Sequence, residues 1–185
     1  DELVVSACRE HLPSLSCALD DPRLELIIGD GVAYAADAAE TFDIVIIDST
    51  DPVGPAAPLF DRAFYGNIAK ILGADGIMIA QAEPPYYDAD IQRAMLASQR
   101  PFFKKLHLYL FSTLVYPGGT WSFTFASHGT CPTAGFIPDR VRQSGISFRY
   151  YTPGVHPAAF MLPAELSDNL KDILDPLPEP QWRAR

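Results

Sequence analysis

The sequence lacks the features of several protein classes. No apolar run approaches the roughly 20 residues that a membrane-spanning helix needs, and no signal-peptide pattern opens the chain, so we expect no membrane partner. Lysine and arginine number 14 against 23 aspartates and glutamates, and the resulting net charge of −9 argues against nucleic-acid binding. The same excess of negative charge is compatible with a small cationic ligand.

Residues that form disulfides or bind metals are few. The three cysteines are widely spaced and form no Cys-x-x-Cys pair, which predicts reduced thiols in a cytoplasmic protein and no zinc site or redox pair. The four histidines show no metal-ligand spacing, so no metal site is expected. Ser49 lies outside any nucleophile-elbow pattern, which argues against hydrolase chemistry.

The most informative segment is residues 42–55. Residues 44–47 form a β-branched apolar run, which predicts a strand buried on both faces in the middle of a parallel sheet. The run ends at Asp48 and Asp51, and prolines and a glycine follow that fit neither strand nor helix. Because ligands bind beyond the carboxyl ends of strands in open α/β sheets, these two carboxylates form a candidate site for a cationic substrate.

Helix and strand patterns alternate through the first 105 residues, which predicts a doubly wound α/β sheet. We expect a Rossmann-like domain over 1–128, an extension packed on it over 129–175, and a disordered tail over 176–185. The loop 49–59 is predicted to have no secondary structure and to order over bound ligand. The predicted helices are 2–12, 32–39, 60–72, 88–99 and 164–174, and the predicted strands are 24–28, 44–47, 77–82, 106–110 and 122–127, the last two as a hairpin.

A series of motifs in one order along the chain resembles the polyamine aminopropyltransferase family. The resemblance runs from residue 1 to about residue 174. It implies a methyltransferase-type Rossmann-like sheet with an antiparallel C-terminal hairpin. The motifs are Gly29-Asp30-Gly31, residues 48–55, Leu59-Phe60, Gln81, residues 116–122, Tyr150-Tyr151, Val155-His156, Ala158-Ala159-Phe160 and Leu162-Pro163.

The resemblance implies transfer of an aminopropyl group from decarboxylated S-adenosylmethionine to putrescine, which gives spermidine and methylthioadenosine. The sulfonium donor would be a co-substrate, with no tightly bound cofactor, because sulfonium is already a good leaving group. The full-length form would be a homodimer by the same resemblance. A primary ammonium has a pKa of about 10.4, so a carboxylate must hold the cation and accept a proton as attack begins.

The resemblance also assigns roles on the amine side. Asp48 would be the general base and help to hold the diamine. Asp51 and Tyr116 would bind the diamine, with Gln81 near its far end. Trp121 offers an apolar wall for the methylene segment. The structural alternatives are that an aspartate after a strand caps a helix or turn, and that the glutamine and tryptophan only pack.

On the nucleoside side, the resemblance assigns four further residues. Asp30 would accept a hydrogen bond from the adenine amino group, with the Gly31 backbone beside it. Pro55 and Leu59 would line the adenine pocket. Asp30 lies between two glycines, so a purely turn-forming role is its structural alternative.

The chain departs from the family at its start. The small N-terminal β domain, the glycine-rich turn after the first strand and the second strand with its ribose-binding glutamate have no counterpart, so we expect these residues to be part of a longer enzyme. The preferred amine length stays open for the same reason. Two alternatives also remain: an S-adenosylmethionine-dependent small-molecule methyltransferase, and an inactive polyamine- or nucleoside-binding fragment. Paired Asp48 and Asp51 argue against the methyltransferase, because methyl transfer needs no clamp for a dication.

Overall fold

The computed structural model describes residues 1–116 and 118–178. A mixed sheet of four strands forms its centre: β1 (Phe42–Ile47), β2 (Leu72–Gln81), β3 (Lys105–Ser112) and β4 (Thr120–Ser127). The helices in the described residues are α1 (Glu2–His11), α2 (Pro13–Ser16), α3 (Gly31–Asp37), α4 (Arg62–Ile71), α5 (Ala89–Gln99), α6 (Pro138–Gln143), α7 (Val155–Ala159) and α8 (Ala164–Leu170). Short 3-10 helices cover Cys17–Asp20, Gly54–Phe60 and Arg100–Phe102.

The strands lie in the order β1-β2-β4-β3. β1 runs parallel to β2, with Ile46 opposite Ile79, and α4 lies between them in the chain as parallel pairing requires. β4 is antiparallel to both of its neighbours, so β3 and β4 form the predicted hairpin. The alternation of helix and strand therefore predicted the central part of the fold correctly.

The core lies between the sheet and its covering helices. α4 buries Phe64, Tyr65, Ile68 and Ile71, which recur at helical spacing on one face. This face belongs to the same cluster as Met78 of β2, which is fully buried. Burying a side chain of this size contributes about 1.5–3 kcal/mol, so the cluster fixes α4 against the sheet.

The C-terminal part attaches to β3 through Asp175. The Asp175 carboxylate accepts hydrogen bonds from the Leu106 backbone N–H (2.8 Å) and from Arg100 (2.6 Å), and the Asp175 N–H donates to the Leu106 carbonyl (2.9 Å). Phe160, just after α7, packs its ring 5.1 Å from that of Tyr109. The boundaries at residues 128 and 175 stay predictions, and residues 179–185 of the predicted disordered tail lie outside the described residues.

One strand prediction was wrong, and a second was wrong only in its burial. Residues 24–28 form no strand, and their apolar side chains are exposed, because no strand of the described sheet lies beside them to complete the hydrogen bonds. The strand at 44–47 is present but is not buried on both faces. Ile44 and Ile46 are 58% and 68% exposed, since β1 ends the described sheet and no described element covers their face.

Several bounds also differ from the prediction, and β2 begins at Leu72 where the strand was predicted to begin at residue 77. The loop 49–59 is not free of secondary structure, because the 3-10 helix Gly54–Phe60 begins within it. Pro55 stands at the start of that helix, where its fixed φ favours a helical turn. The helix predicted near 164–174 ends at Leu170. None of the helices in the described part of the chain is both long and apolar enough to cross a membrane.

Candidate active site

One edge of the sheet collects polar and aromatic residues from three strands. Asp48 follows the last residue of β1, and Glu83 lies two residues beyond the end of β2. β4 is antiparallel to β2, with Gln81 opposite Phe123, so Trp121 at the start of β4 lies at the same edge. The strand order therefore brings together residues that are far apart in sequence.

A cleft of about 560 Å³ opens at this edge, and we call it the acidic cleft. Among the described residues, its lining contains three carboxylates and three aromatic side chains, and no lysine, arginine or histidine. The Tyr116 and Trp121 rings pack with centroids 4.5 Å apart. A cleft with this lining favours a cation that also has an apolar segment. The lining residues are Asp51, Pro52, Val53, Glu83, Pro84, Tyr87, Asp88, Ile91, Tyr116 and Trp121.

Glu83 has an unusual backbone and environment. Its φ is +62°, and no other non-glycine residue in the described part of the chain has a positive φ. The residue is only 3% exposed, yet its side chain is ionisable. Its carboxylate accepts a hydrogen bond from the Gln81 side-chain amide (2.9 Å), and its N–H donates to the Gln81 side-chain oxygen (2.6 Å). Burial raises the pKa of Glu83, the Gln81 bond opposes that shift, and the charges of Asp51 and Asp88 raise the pKa further.

Buried hydrogen bonds hold the turn that carries Glu83. The Ser122 hydroxyl makes short contacts with the backbone carbonyl oxygens of Ala82 (2.8 Å) and Glu83 (2.7 Å). The Gln92 side-chain amide donates to the Ala82 carbonyl and to the Ser122 hydroxyl, both at 2.9 Å. Ser122 and Gln92 are at most 1% exposed. Three elements, β2, β4 and α5, are thereby joined at the turn.

A second, largely apolar cavity of about 610 Å³ lies against β1, and we call it the β1 cavity. Gly31 of α3, Leu59 of the 3-10 helix and Asp48 are among the residues that line it. Asp48 thus faces the β1 cavity, while Asp51 lines the acidic cleft. The short segment between these two aspartates connects the two spaces.

The structure brings together some of the predicted site residues and separates others. Asp51, Tyr116 and Trp121 line the acidic cleft, and Gln81 contacts it only through its hydrogen bond to Glu83. Asp30 is the N-cap of α3, where its carboxylate accepts from the Val32 N–H at 2.8 Å, as the structural alternative predicted. Neither Asp30 nor Pro55 is among the described residues that line the two cavities.

Among the carboxylates and aromatic residues of the acidic cleft, sequence reasoning missed three: Glu83, Tyr87 and Asp88. Glu83 follows a strand just as Asp48 does, so the same strand-end rule applied to β2 identifies it. Tyr87 and Asp88 immediately precede α5 and carry no comparable local signal. Within the described residues, no group of three or more His, Cys, Asp or Glu side chains is arranged to hold a metal ion.

Comparison with known proteins gives concordant results. The family model described as "Spermine/spermidine synthase domain" matches residues 1–134. The polyamine aminopropyltransferase of Desulforudis audaxviator is 40% identical over 92% of this chain and 61% of its own length. That of Caldicellulosiruptor saccharolyticus is 42% identical over 88% of this chain and 58% of its own length. The chain therefore spans about three-fifths of the length of these relatives.

Solved structures show the same similarity. A spermidine synthase in complex with the transition-state analogue AdoDATO superposes with a TM-score of 0.88 at 38% identity, over 92% of this chain and 59% of its own. The spermidine synthase of Thermotoga maritima gives a TM-score of 0.86 at 38% identity, over 92% of this chain and 58% of its own. Human methyltransferase-like protein 13, at 15% identity and a TM-score of 0.53, shows the fold alone. The predicted methyltransferase-type α/β fold is confirmed.

Proposed function

Because the chain belongs to the spermine/spermidine synthase family, we propose that the protein transfers an aminopropyl group from decarboxylated S-adenosylmethionine to putrescine. The products are spermidine and methylthioadenosine. The observation that carries this proposal is the acidic cleft, where carboxylates and aromatic rings lie together and the lining has no basic residue within the part of the chain that the structure describes. Such a lining suits an alkyl diammonium, since ammonium groups contact carboxylates and aromatic faces while methylenes contact apolar walls.

Asp48 is the general base in this proposal. The lone pair of the amine nitrogen attacks the methylene carbon bonded to the sulfonium, and the carbon–sulfur bond breaks with its electrons going to sulfur. The proton lost by nitrogen passes to the Asp48 carboxylate, which lies directly beyond β1 and lines the β1 cavity. No charge needs to be created on the leaving group, because the sulfonium becomes a neutral thioether.

The remaining amine-side residues position the acceptor. Asp51 binds the ammonium electrostatically, and the Tyr116 hydroxyl hydrogen-bonds it without adding charge. Trp121 packs on Tyr116 and forms an apolar wall for the methylenes. Gln81 acts near the far end of the diamine through its contact with Glu83.

The β1 cavity is proposed to take the nucleoside part of the donor. Gly31 and Leu59 line it, and its apolar character suits an adenine ring. Asp30 uses one carboxylate oxygen to cap α3, which leaves the other to accept from the adenine amino group. Pro55 acts from the 3-10 helix that also carries Leu59. The homodimer and the cytoplasmic location remain predictions of the family resemblance.

The test uses the protein as its gene encodes it, with Asp48→Asn as the variant and Asp43→Asn, an exposed carboxylate within β1, as the matched control. Methylthioadenosine release is measured with putrescine and decarboxylated S-adenosylmethionine. We expect a loss of roughly 100-fold or more in kcat for Asp48→Asn, the usual contribution of a general base, and none for the control. An undiminished rate for Asp48→Asn refutes the assignment. Turnover of intact S-adenosylmethionine instead supports a methyltransferase, and nucleoside binding without turnover supports an inactive binding protein.

A further inference from the structure

A cavity of about 450 Å³ lies beside β3, and we call it the β3 cavity. Its lining comes from residues 107 and 108 of β3 and from the segment 160–177. β3 ends the described sheet on the side opposite to β1. Among the described residues, the lining shares no member with the acidic cleft or with the β1 cavity. The β3 cavity is therefore separate from both spaces of the candidate active site.

We propose that the β3 cavity is a further binding site, for a neutral, flat aromatic compound that has one N–H or O–H donor. Its volume of about 450 Å³ is that of a small-molecule site. The inference does not rest on the proposed function, because no residue of the β3 cavity acts on the amine or on the nucleoside. It assigns the chain a ligand that is neither substrate nor product of the proposed reaction.

His107 supplies the buried polar group of the β3 cavity. The residue is only 2% exposed and lines the cavity from β3. Within residues 1–116 and 118–178, its Nε2 atom has no hydrogen-bond partner. Leaving a buried polar atom without a hydrogen bond is unfavourable, so such an atom in a cavity wall favours a ligand that completes the bond.

The surroundings of His107 determine which kind of partner Nε2 requires. Burial lowers the pKa of His107, which favours the neutral ring, and the charge of Asp175 opposes that shift. The ring also makes a hydrogen bond with the Asp175 backbone that raises the pKa, as expected when a ring N–H donates to a carbonyl. Because Nε2 has no partner, the donating nitrogen is Nδ1. In a neutral imidazole the other nitrogen accepts, so the ligand must supply a donor.

The apolar walls of the β3 cavity suit an aromatic ring. Phe160 presents an aromatic side chain, and Met161 presents a thioether. Both kinds of group make favourable contacts with a flat ring, as does the imidazole of His107 itself. Leu108 and Leu162 add aliphatic surface. An aromatic ligand therefore finds partners on several sides of the cavity.

The charged residues of the lining do not require a charged ligand. Asp175 pairs with Arg100 at 2.6 Å, and its carboxylate also accepts from the Leu106 N–H. Lys171 pairs with Asp168 at 3.5 Å. Each charge in the lining thus has an opposite charge beside it. A neutral ligand avoids the desolvation of a further charge in this partly buried space.

The test is isothermal titration calorimetry of the protein as its gene encodes it, with indole and 1-methylindole at neutral pH. Indole has one N–H donor and no acceptor, and 1-methylindole has the same rings without the donor. We expect indole to bind roughly three- to ten-fold more tightly, which is the net contribution of one neutral hydrogen bond. His107→Phe keeps an aromatic ring but removes the acceptor, and it should abolish that preference. His11→Phe, at an exposed histidine of α1, is the control and should leave it unchanged.

A second pair of variants tests whether the two compounds bind in the β3 cavity. Ser167 is an exposed residue of α8 that lines the cavity, so Ser167→Phe fills part of its space without changing the core. Asn169→Phe is the control, because Asn169 is exposed on the same helix but lies outside the lining. We expect Ser167→Phe to weaken binding of both compounds about ten-fold or more, and Asn169→Phe to leave their Kd values unchanged.

Several results would overturn the inference. One is that indole binds the unmodified protein no more tightly than 1-methylindole does, and this comparison needs no variant to fold. Another is that Ser167→Phe leaves the Kd for indole unchanged, because indole would then bind elsewhere. A preference for indole that persists in folded His107→Phe would show that Nε2 is not the acceptor. Absence of binding by both compounds would also overturn the inference.

Discussion

Replacing Ser122 with alanine tests whether the buried hydrogen bonds at the acidic cleft hold the Glu83 turn. The Ser122 hydroxyl contacts the Ala82 carbonyl (2.8 Å), the Glu83 carbonyl (2.7 Å) and the Gln92 amide (2.9 Å), all in a fully buried environment. The hydroxyl has one proton, which the two carbonyls share, and its oxygen accepts from Gln92, so the change removes two hydrogen bonds. At a net ~0.5–1.5 kcal/mol for each, the free energy of unfolding falls by about 1–3 kcal/mol. The Ala82 carbonyl keeps its bond from Gln92, which favours the lower half of that range.

The matched control for this change is Thr124→Val. Thr124 lies two residues further along β4, is equally buried, and makes one longer hydrogen bond, 3.3 Å, to the Ala80 carbonyl. We expect Thr124→Val to cost about 1 kcal/mol. The assay is equilibrium urea unfolding of the protein as its gene encodes it, comparing midpoints at equal slope. If Ser122→Ala costs no more than Thr124→Val, the hydrogen-bond network does not stabilise the turn and the reasoning fails.

Two further predictions concern the same cleft. Gly118→Ala and Gly119→Ala both put a side chain at positive φ (+84° and +67°). Only at Gly118 does the new Cβ clash with the Tyr87 ring, whereas the nearest atom at Gly119 is 3.7 Å away. We therefore expect Gly118→Ala to raise KM for putrescine several-fold more than Gly119→Ala in steady-state assays, and equal KM values would contradict a role for Tyr87. The second prediction is that putrescine affinity falls as pH falls through the raised pKa of Glu83, because protonation removes one of the negative charges of the acidic cleft that attract a diammonium. The raised pKa also affects the free energy of unfolding. Protonated Glu83 contributes its full stabilisation below the ordinary pKa of a glutamate, and this stabilisation is lost as pH rises through the raised pKa of Glu83. Glu83→Gln should flatten the dependence of KM on pH over that interval, and an unchanged profile in the variant would rule out Glu83 as its source.

The parts of the fold that could be predicted are those specified by local pattern. α4 shows its apolar residues at helical spacing, and the alternating residues of β3 and β4 indicate a hairpin, so both elements were predicted near their observed bounds. Residues 24–28 are equally apolar but form no strand. A strand exists only when a neighbour completes its hydrogen bonds, and local sequence does not report whether that neighbour is present. The exposure of Ile44 has the same kind of cause, because burial depends on what packs against a face.

The residues of the candidate site also differ in how well the sequence predicts them. Asp51, Tyr116 and Trp121 lie together in the cleft because they follow or precede strands whose order brings their ends to one edge. Asp30 shows the limit of this reasoning, since helix capping and ligand binding both call for a short carboxylate at the same position. The strand-end rule identifies Glu83 as a candidate, but its left-handed backbone depends on long-range hydrogen bonds that the sequence does not display.

The hydrogen bonds from Ser122 and Gln92 also oppose two destabilising effects in the cleft. Its three carboxylates repel one another, and the backbone of Glu83 is strained, so both effects favour rearrangement of the turn. The buried hydrogen bonds of Ser122 in β4 and Gln92 in α5 oppose that rearrangement, and both side chains are uncharged. A bound diammonium would remove the repulsion but not the strain. The binding geometry therefore depends on neutral residues of β4 and α5 as much as on the carboxylates themselves.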